Sequence, residues 1–311
     1  MMNTREDQID SQKKGVAPQS FDWVWSTTFR KWLVGSFGSS VPFWIAGKPG
    51  SGKSTLMKYL VDNKKTRQLL TKVDKNFSII SFFFDYRAGE STANNCIGVL
   101  KMFMKQLCDL NPKLEVNLAS ENVKTPIGKM SEVRLIKLFA KALRSTIGQT
   151  WAFIDGLDEY SGDYTELVLF FQELQSQTPI NLCLASRPEA VFQSRFKEYP
   201  HFVMQDYNHK SIRAYCTYAI QAAQDQLMNC EALRNPQVRE AIVQKAQGVI
   251  IRARFAVDTL LHENPHDVSA ATLEAFIDRL PEDLEQMYTG TLKRLSQNMA
   301  SKAALILYLI T

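Results

Sequence analysis

One octapeptide concentrates the chemistry of this chain: Gly47-Lys48-Pro49-Gly50-Ser51-Gly52-Lys53-Ser54. It satisfies G-x-x-x-x-G-K-[ST], a spacing whose backbone curls around a polyphosphate. Gly47, Gly50 and Gly52 let successive N–H groups turn inward toward phosphate oxygens. Pro49 and Ser51 complete the loop, and Thr55 follows in the first turn of a helix whose N-terminal N–H groups and dipole face the same anion. Lys53 is spaced to reach the β- and γ-phosphates, and Ser54 to offer a hydroxyl to Mg²⁺. A chain of ordinary composition shows this pattern on the order of once in a hundred. Here it also follows an apolar strand and opens a helix, as the chemistry requires.

Such a site needs a carboxylate for the metal. Trp151-Ala152-Phe153-Ile154-Asp155 places one at the end of an apolar strand. If that strand is the parallel neighbour of the strand before the loop, Asp155 lies beside Ser54. Three and four positions on, Asp158 and Glu159 are the candidates for a general base that polarises an attacking water. Arg187, in Ser186-Arg187-Pro188 at the end of the next strand, would face the same crevice and sense or neutralise γ-phosphate charge. The competing reading makes Asp155-Gly156 a turn and Asp158-Glu159 a solvated helix start. Arg87 is a weaker candidate of the same kind as Arg187.

The elements that must hold these groups follow an α/β pattern. Apolar runs predict strands over 43–47, 77–84, 151–155, 181–186 and 202–205. Helical periodicity predicts helices over 21–33, 54–61, 94–110, 132–147 and 164–174, with Leu110 and Ile147 on buried faces and a loop over 111–129. Alternating strands and helices with continuously apolar strands imply a parallel sheet covered on both faces. After Asp206 the strands stop. Asn208 caps a helix, Asn235-Pro236 starts another that Gly248 ends, and Ser269 starts a third. A further helix is expected over 282–295.

Composition excludes several classes. With 45% hydrophobic and 22% charged residues the chain is ordinary globular material, neither low-complexity nor wholly disordered. The 37 basic and 32 acidic residues leave a net charge of +5, and no basic footprint points to direct nucleic-acid binding. The longest apolar run, 303–310, is too short for a membrane span, which needs about 18 residues. The five cysteines form no CxxC pair or Cys/His cluster, which argues against zinc. Their odd number, with no apolar secretory core in the first 20 residues, points to reduced thiols and a cytoplasmic setting.

In order along the chain, FDWVW and FRKWL, FWIAGKPGSGKSTLMKYL, SFFF, AFIDGLDEYSGD, LCLASRPEAVF, KAQGVIIRARFAVDTLL and LPEDLEQMYTGTLKRL resemble the NACHT group of STAND-class P-loop NTPases, in the form found in filamentous-fungal NLR-like proteins. The resemblance spans about residues 21–295. It implies a P-loop NTPase domain with a parallel five-stranded sheet flanked by helices over 21–206 and a small all-helical domain over 207–295. The truncated start of a winged-helix domain would follow over 296–311, and 1–20 would be a disordered tail. It also implies a nucleotide-controlled switch, closed with diphosphate and self-assembling through the NTPase domain with triphosphate. Lys53, Ser54, Asp155, Asp158, Glu159 and Arg187 match the phosphate, magnesium, hydrolysis and sensing positions.

Two features depart from that pattern. A tryptophan usual after Gly248 is replaced at Arg252 or Ala253, and no histidine stands where the winged helix normally contributes one. The expectation is a fragment or truncated relative with impaired switching. No NKxD string for guanine is present, and no motif identifies the base: the nucleotide is read as ATP or GTP, with ATP favoured, and no motif specifies an effector or sensor partner. A small-molecule or nucleoside kinase and a non-hydrolysing nucleotide-binding scaffold remain the alternatives. Phe21, Trp23 and Trp25 are read as core packing rather than as a stacking surface for the base.

Overall fold

A computed structural model of the chain describes residues 21–38, 41–85, 94–114, 130–224, 235–262 and 270–278. Arg87, the tail over 1–20, the helix start at Ser269, the helix expected over 282–295 and the winged-helix start over 296–311 lie outside them. The chain divides into two compact units, Met1–Met204 and Gln205–Thr311.

The first unit is built on a five-stranded parallel sheet: β1 (Phe43–Ala46), β2 (Ser78–Phe83), β3 (Thr150–Asp155), β4 (Ile180–Ser186) and β5 (His201–Val203), in the order β2-β3-β4-β1-β5. Both faces of β1 are buried, and side chains alternate across it. Phe43 points to one side, where its ring meets Phe29 at 5.3 Å and Phe202 at 5.6 Å. Trp44 points to the other, against Phe196 at 5.9 Å. Such fully buried aromatics each contribute about 1.5–3 kcal/mol over exposure, enough to fix which face of each strand meets which helices.

On one face of the sheet, Ile80, Phe82 and Phe84 join Leu100 and Phe103 of α4 (Cys96–Leu110), Leu135 and Phe139 of α5 (Glu132–Ser145) and Leu167 and Phe171 of α6 (Tyr164–Gln177). Asn95 caps α4 by accepting from Gly98 N–H, and Asp163 caps α6 by accepting from Thr165 and Glu166.

Several sequence expectations are corrected here. The segment 21–33 is not one helix: a 3₁₀ turn (Asp22–Ser26) breaks at Thr27, which is extended and caps α1 (Thr28–Leu33) through its own hydroxyl. After α2 (Lys53–Asp62), Asn63 starts a separate helix, α3 (Lys64–Val73), which periodicity did not suggest. Another, α7 (Ala190–Phe196), follows β4. The last strand ends at Val203, and Met204–Tyr207 forms a helical turn. Ile147 and Leu110 are 75% and 58% exposed, because α5 ends at Ser145 and Leu110 is the last residue of α4, where each helix has run past its neighbours.

The second unit is helical: α8 (His209–Gln224), α9 (Pro236–Ala246), α10 (Ile250–His262) and α11 (Ala270–Asp278). Ile212, Cys216, Ile242, Val243, Val257 and Ile277 share its core. Asn235 caps α9 with Pro236 in its first turn. Gln247 (φ 48°) and Gly248 (φ 75°) then reverse the chain, and Asn208 Nδ2 donates to the Gly248 carbonyl at 2.9 Å. Where the family's tryptophan is absent, Ala253 is fully buried and Arg252 Nη1 donates to Gln247 Oε1 at 3.1 Å.

Candidate phosphate-binding site

The loop over 47–52 leaves the C-terminal end of β1, where Gly47 N–H donates to the Ser186 carbonyl at 3.2 Å and so ties the loop to β4. Gly50 (φ 70°) and Gly52 (φ 92°) take the left-handed conformation, which L side chains adopt only at a cost of about 1–2 kcal/mol. A Cβ on Gly47 would come within 2.6 Å of Ser51 Oγ and 2.9 Å of Met204 Cβ. The three glycines are therefore demanded by conformation or by close approach. Lys48, Pro49 and Gly50 form the exposed rim, Ser51 is buried, and Lys53, Ser54 and Thr55 form the half-buried first turn of α2.

Lys53 Nζ donates to the carbonyls of Gly47 at 2.7 Å and Lys48 at 3.4 Å, inside the loop from which it springs. Burial pushes its ammonium below the ordinary lysine value, while the charges of Asp158 and then Asp155 pull it back up; Arg187 pushes it down and Glu159 raises it slightly. Lys53 thus shares one electrostatic neighbourhood with Asp155, Asp158, Glu159 and Arg187.

The route by which Asp155 reaches that neighbourhood differs from the sequence expectation. β3 is not the neighbour of β1, because β4 lies between them and pairs with both. α2 crosses back over the sheet and packs on β3, and this brings Lys53 toward Asp155. Asp155 is 1% exposed and its carbonyl accepts from Phe84 N–H at 3.0 Å. Gly156 (φ 74°) then turns the chain into a 3₁₀ turn (Leu157–Glu159) that carries Asp158 and Glu159, both within the electrostatic reach of Lys53.

Arg187, at the end of β4, pairs with Asp158: Nε to Oδ2 at 2.8 Å, and backbone N–H to Oδ1 at 2.8 Å. Tyr164 OH donates to the Asp158 carbonyl at 2.7 Å. Buried Asn94 links two loops, accepting from Asp85 N–H at 3.1 Å and donating to the Glu159 carbonyl at 3.3 Å. Trp44 Nε1 donates to Ser186 Oγ at 3.0 Å and steadies the end of β4. Asn94, Tyr164 and Trp44 escaped the sequence reading because each acts through a partner that lies elsewhere along the chain; only the Asn94-Asn95 pair before a helical run marked a special position.

The arrangement fits a polyphosphate with a hard cation. The glycines provide close backbone approach, and the half-buried Lys53 ammonium can exchange its two carbonyl partners for phosphate oxygens. Among the described residues no group of three or more His, Cys, Asp or Glu could hold a metal. Magnesium takes one or two protein oxygen ligands together with phosphate oxygens and water, and the Ser54 hydroxyl and the Asp155 carboxylate are oxygen donors of that kind.

The tryptophans before β1 belong to packing. Trp25 is 5% exposed, with Lys65 Nζ 5.3 Å above its ring, and Trp23 meets Phe202 edge-on at 5.3 Å. No helix among the described residues is long and apolar enough to cross a membrane.

The chain is 24% identical over 307 residues to the vegetative incompatibility protein HET-E-1 of Podospora anserina, covering 93% of this chain and 21% of that protein's length. In fold it is similar to Drosophila ORC bound to DNA (12% identity, 95% of this chain and 70% of the other, TM-score 0.47). A second likeness is to the Aeropyrum pernix ORC2 protein in its ADP form (13%, 91% and 69%, TM-score 0.43). Likenesses at these scores carry no inference about function. Residues 19–187, more than half of the chain, match the family described as Nephrocystin 3, N-terminal. With its parallel sheet and its relation to the fungal incompatibility protein, the chain belongs to the nephrocystin 3 N-terminal family and is a NACHT-like P-loop protein of the fungal NLR type.

Proposed function

We propose that the chain is a nucleotide-controlled signalling switch that binds a nucleoside triphosphate with magnesium, ATP in preference to GTP, hydrolyses it slowly, and changes conformation and self-association with the state of the nucleotide. The observation that carries this reading is the position of Lys53: a half-buried ammonium, held on loop carbonyls at the end of β1, in the electrostatic field of Asp158, Asp155, Arg187 and Glu159. Gly47, Pro49, Gly50, Ser51, Gly52, Lys53, Ser54 and Thr55 would hold the phosphates, and Ser54 with Asp155 the metal. Bound magnesium would neutralise phosphate charge and fix the geometry of attack.

A switch of this kind rests on differential binding. Moving an equilibrium from 1:99 to 99:1 takes about 5.5 kcal/mol, and contacts of Lys53 and Arg187 to the terminal phosphate are the available source. A domain division at 206/207, with an NTPase domain followed by a helical one, belongs to the same proposal. A kinase would need an acceptor pocket and a lid beside this crevice, and no observation favours it. Denaturing the purified chain and chromatographing the released base tests the reading, together with titration of a fluorescent nucleotide. The expected result is a bound adenine nucleotide and loss of binding in Lys53→Ala; equal affinity in that variant would exclude the switch.

A further inference from the structure

Both oxygens of the Asp158 carboxylate are committed to one residue. Oδ1 accepts from the backbone N–H of Arg187 and Oδ2 from its Nε, each at 2.8 Å. The carboxylate is 6% exposed and the arginine side chain 46% exposed. The Asp158 main chain is itself anchored by the Tyr164 hydroxyl on its carbonyl at 2.7 Å. A carboxylate with both oxygens engaged in this way is placed to hold the arginine, through charge-assisted hydrogen bonds that fix both groups.

The guanidinium is gripped by its Nε edge. Among the described residues, no hydrogen bond engages Nη1 or Nη2. That outer fork matches an oxyanion in bidentate fashion, which a lysine cannot reproduce. Glu159, one residue on, is the second acid of the same turn. Its main chain is fixed by N–H donation to the Gly156 carbonyl at 2.7 Å and by the Asn94 amide on its own carbonyl at 3.3 Å, so its backbone is held by bonds other than the arginine clamp, within the electrostatic reach of Lys53.

We propose that Asp158 is a positioning residue: it clamps the Nε edge of Arg187 so that the Nη1/Nη2 fork reads the terminal phosphate of a bound nucleoside triphosphate, and it leaves proton transfer from the attacking water to Glu159. The assignment rests on the nucleotide-binding reading above. Two adjacent acids then have separate roles, Asp158 in discrimination between triphosphate and diphosphate and Glu159 in turnover. Without the clamp, the fork must be ordered at the moment of binding, and the contact that only a triphosphate can make loses its preorganisation.

The test uses the full chain. Affinities for Mg·ATP and Mg·ADP and single-turnover hydrolysis are measured for the wild type, Asp158→Asn, Arg187→Ala, the double variant and Glu159→Gln. Asp158→Asn and Arg187→Ala each should lower the ratio of ATP to ADP affinity by about tenfold, the double variant should lower it no further, and Glu159→Gln should keep the ratio while losing hydrolysis by about a hundredfold. If Asp158→Asn does not fold, Asp158→Glu, which keeps the charge but displaces the carboxylate by one methylene, carries the clamp arm and should lower the same ratio, while Arg187→Ala, at a half-exposed side chain, reports the arginine itself. An unchanged ratio in either single variant overturns the assignment, as does Glu159→Gln turning over at the wild-type rate. A wild-type chain that binds neither nucleotide would instead remove the nucleotide-binding reading beneath it.

Discussion

Lys53 Nζ lies 2.7 Å from the carbonyl oxygen of Gly47, so the loop's terminal lysine bonds back to its first residue. The ammonium is thus stored inside the loop, where burial lowers its proton affinity despite the nearby carboxylates.

A pH dependence follows from that storage. Lys53 titrates below the ordinary lysine value in the folded chain and at that value in the unfolded one, so between the two the unfolded state binds more protons. Stability of the nucleotide-free chain therefore rises with pH across this alkaline window. Phosphate oxygens would restore the charged form, so binding takes up a proton and affinity falls as pH passes above the free-state value. Calorimetry in buffers of different ionisation enthalpy checks this; binding heats independent of buffer in that window would contradict it.

Gly47→Ala should lower nucleotide affinity by more than tenfold and stability by about 1–3 kcal/mol, because the added Cβ would meet Ser51 Oγ at 2.6 Å and Met204 Cβ at 2.9 Å. Gly35→Ala is the control. Gly35 has φ 79° with nothing within 4 Å, so its cost is the backbone term of about 1–2 kcal/mol alone, with affinity retained. Thermal melts and nucleotide titration of the two variants separate strain from site damage.

Gln106 closes the edge of the sheet. β2 is an outer strand, and the Gln106 amide accepts from Ser81 N–H at 2.9 Å and donates to the Ser81 carbonyl at 2.8 Å, as a neighbouring strand would. Gln106→Ala should reopen that edge and produce concentration-dependent association, with a stability loss of about 1–3 kcal/mol. Sedimentation velocity across a concentration series reads the outcome; a monomeric variant of wild-type stability would show that the amide has no such role.

Thiol reactivity should follow burial. Burial pushes the Cys96 and Cys216 thiols up to about 12, and Cys183 also well above its ordinary value. Of these and Cys108, which is only partly buried, Cys108 should react first with a thiol reagent at neutral pH, and Cys96 roughly a thousandfold more slowly than an ordinary thiol. Peptide mapping after timed labelling checks the order.

The amino-acid sequence alone determined the loop and its chemistry, since Gly47 to Ser54 are contiguous and each residue acts through its own backbone or a neighbour. It also determined the strands, because runs such as FSIISFFF have no amphipathic alternative. Capping residues such as Asn235 were legible for the same local reason. Tertiary structure decided the rest. Strand order depends on which faces pack best, and no local signal told that β4 would stand between β1 and β3. The break at Thr27 and the separate α3 depend on hydroxyl and amide caps competing with helix continuation. Above all, the ion pair of Asp158 with Arg187 joins residues 29 positions apart. Only the parallel sheet, by placing the ends of β3 and β4 together, turns two exposed-looking charges into one clamp.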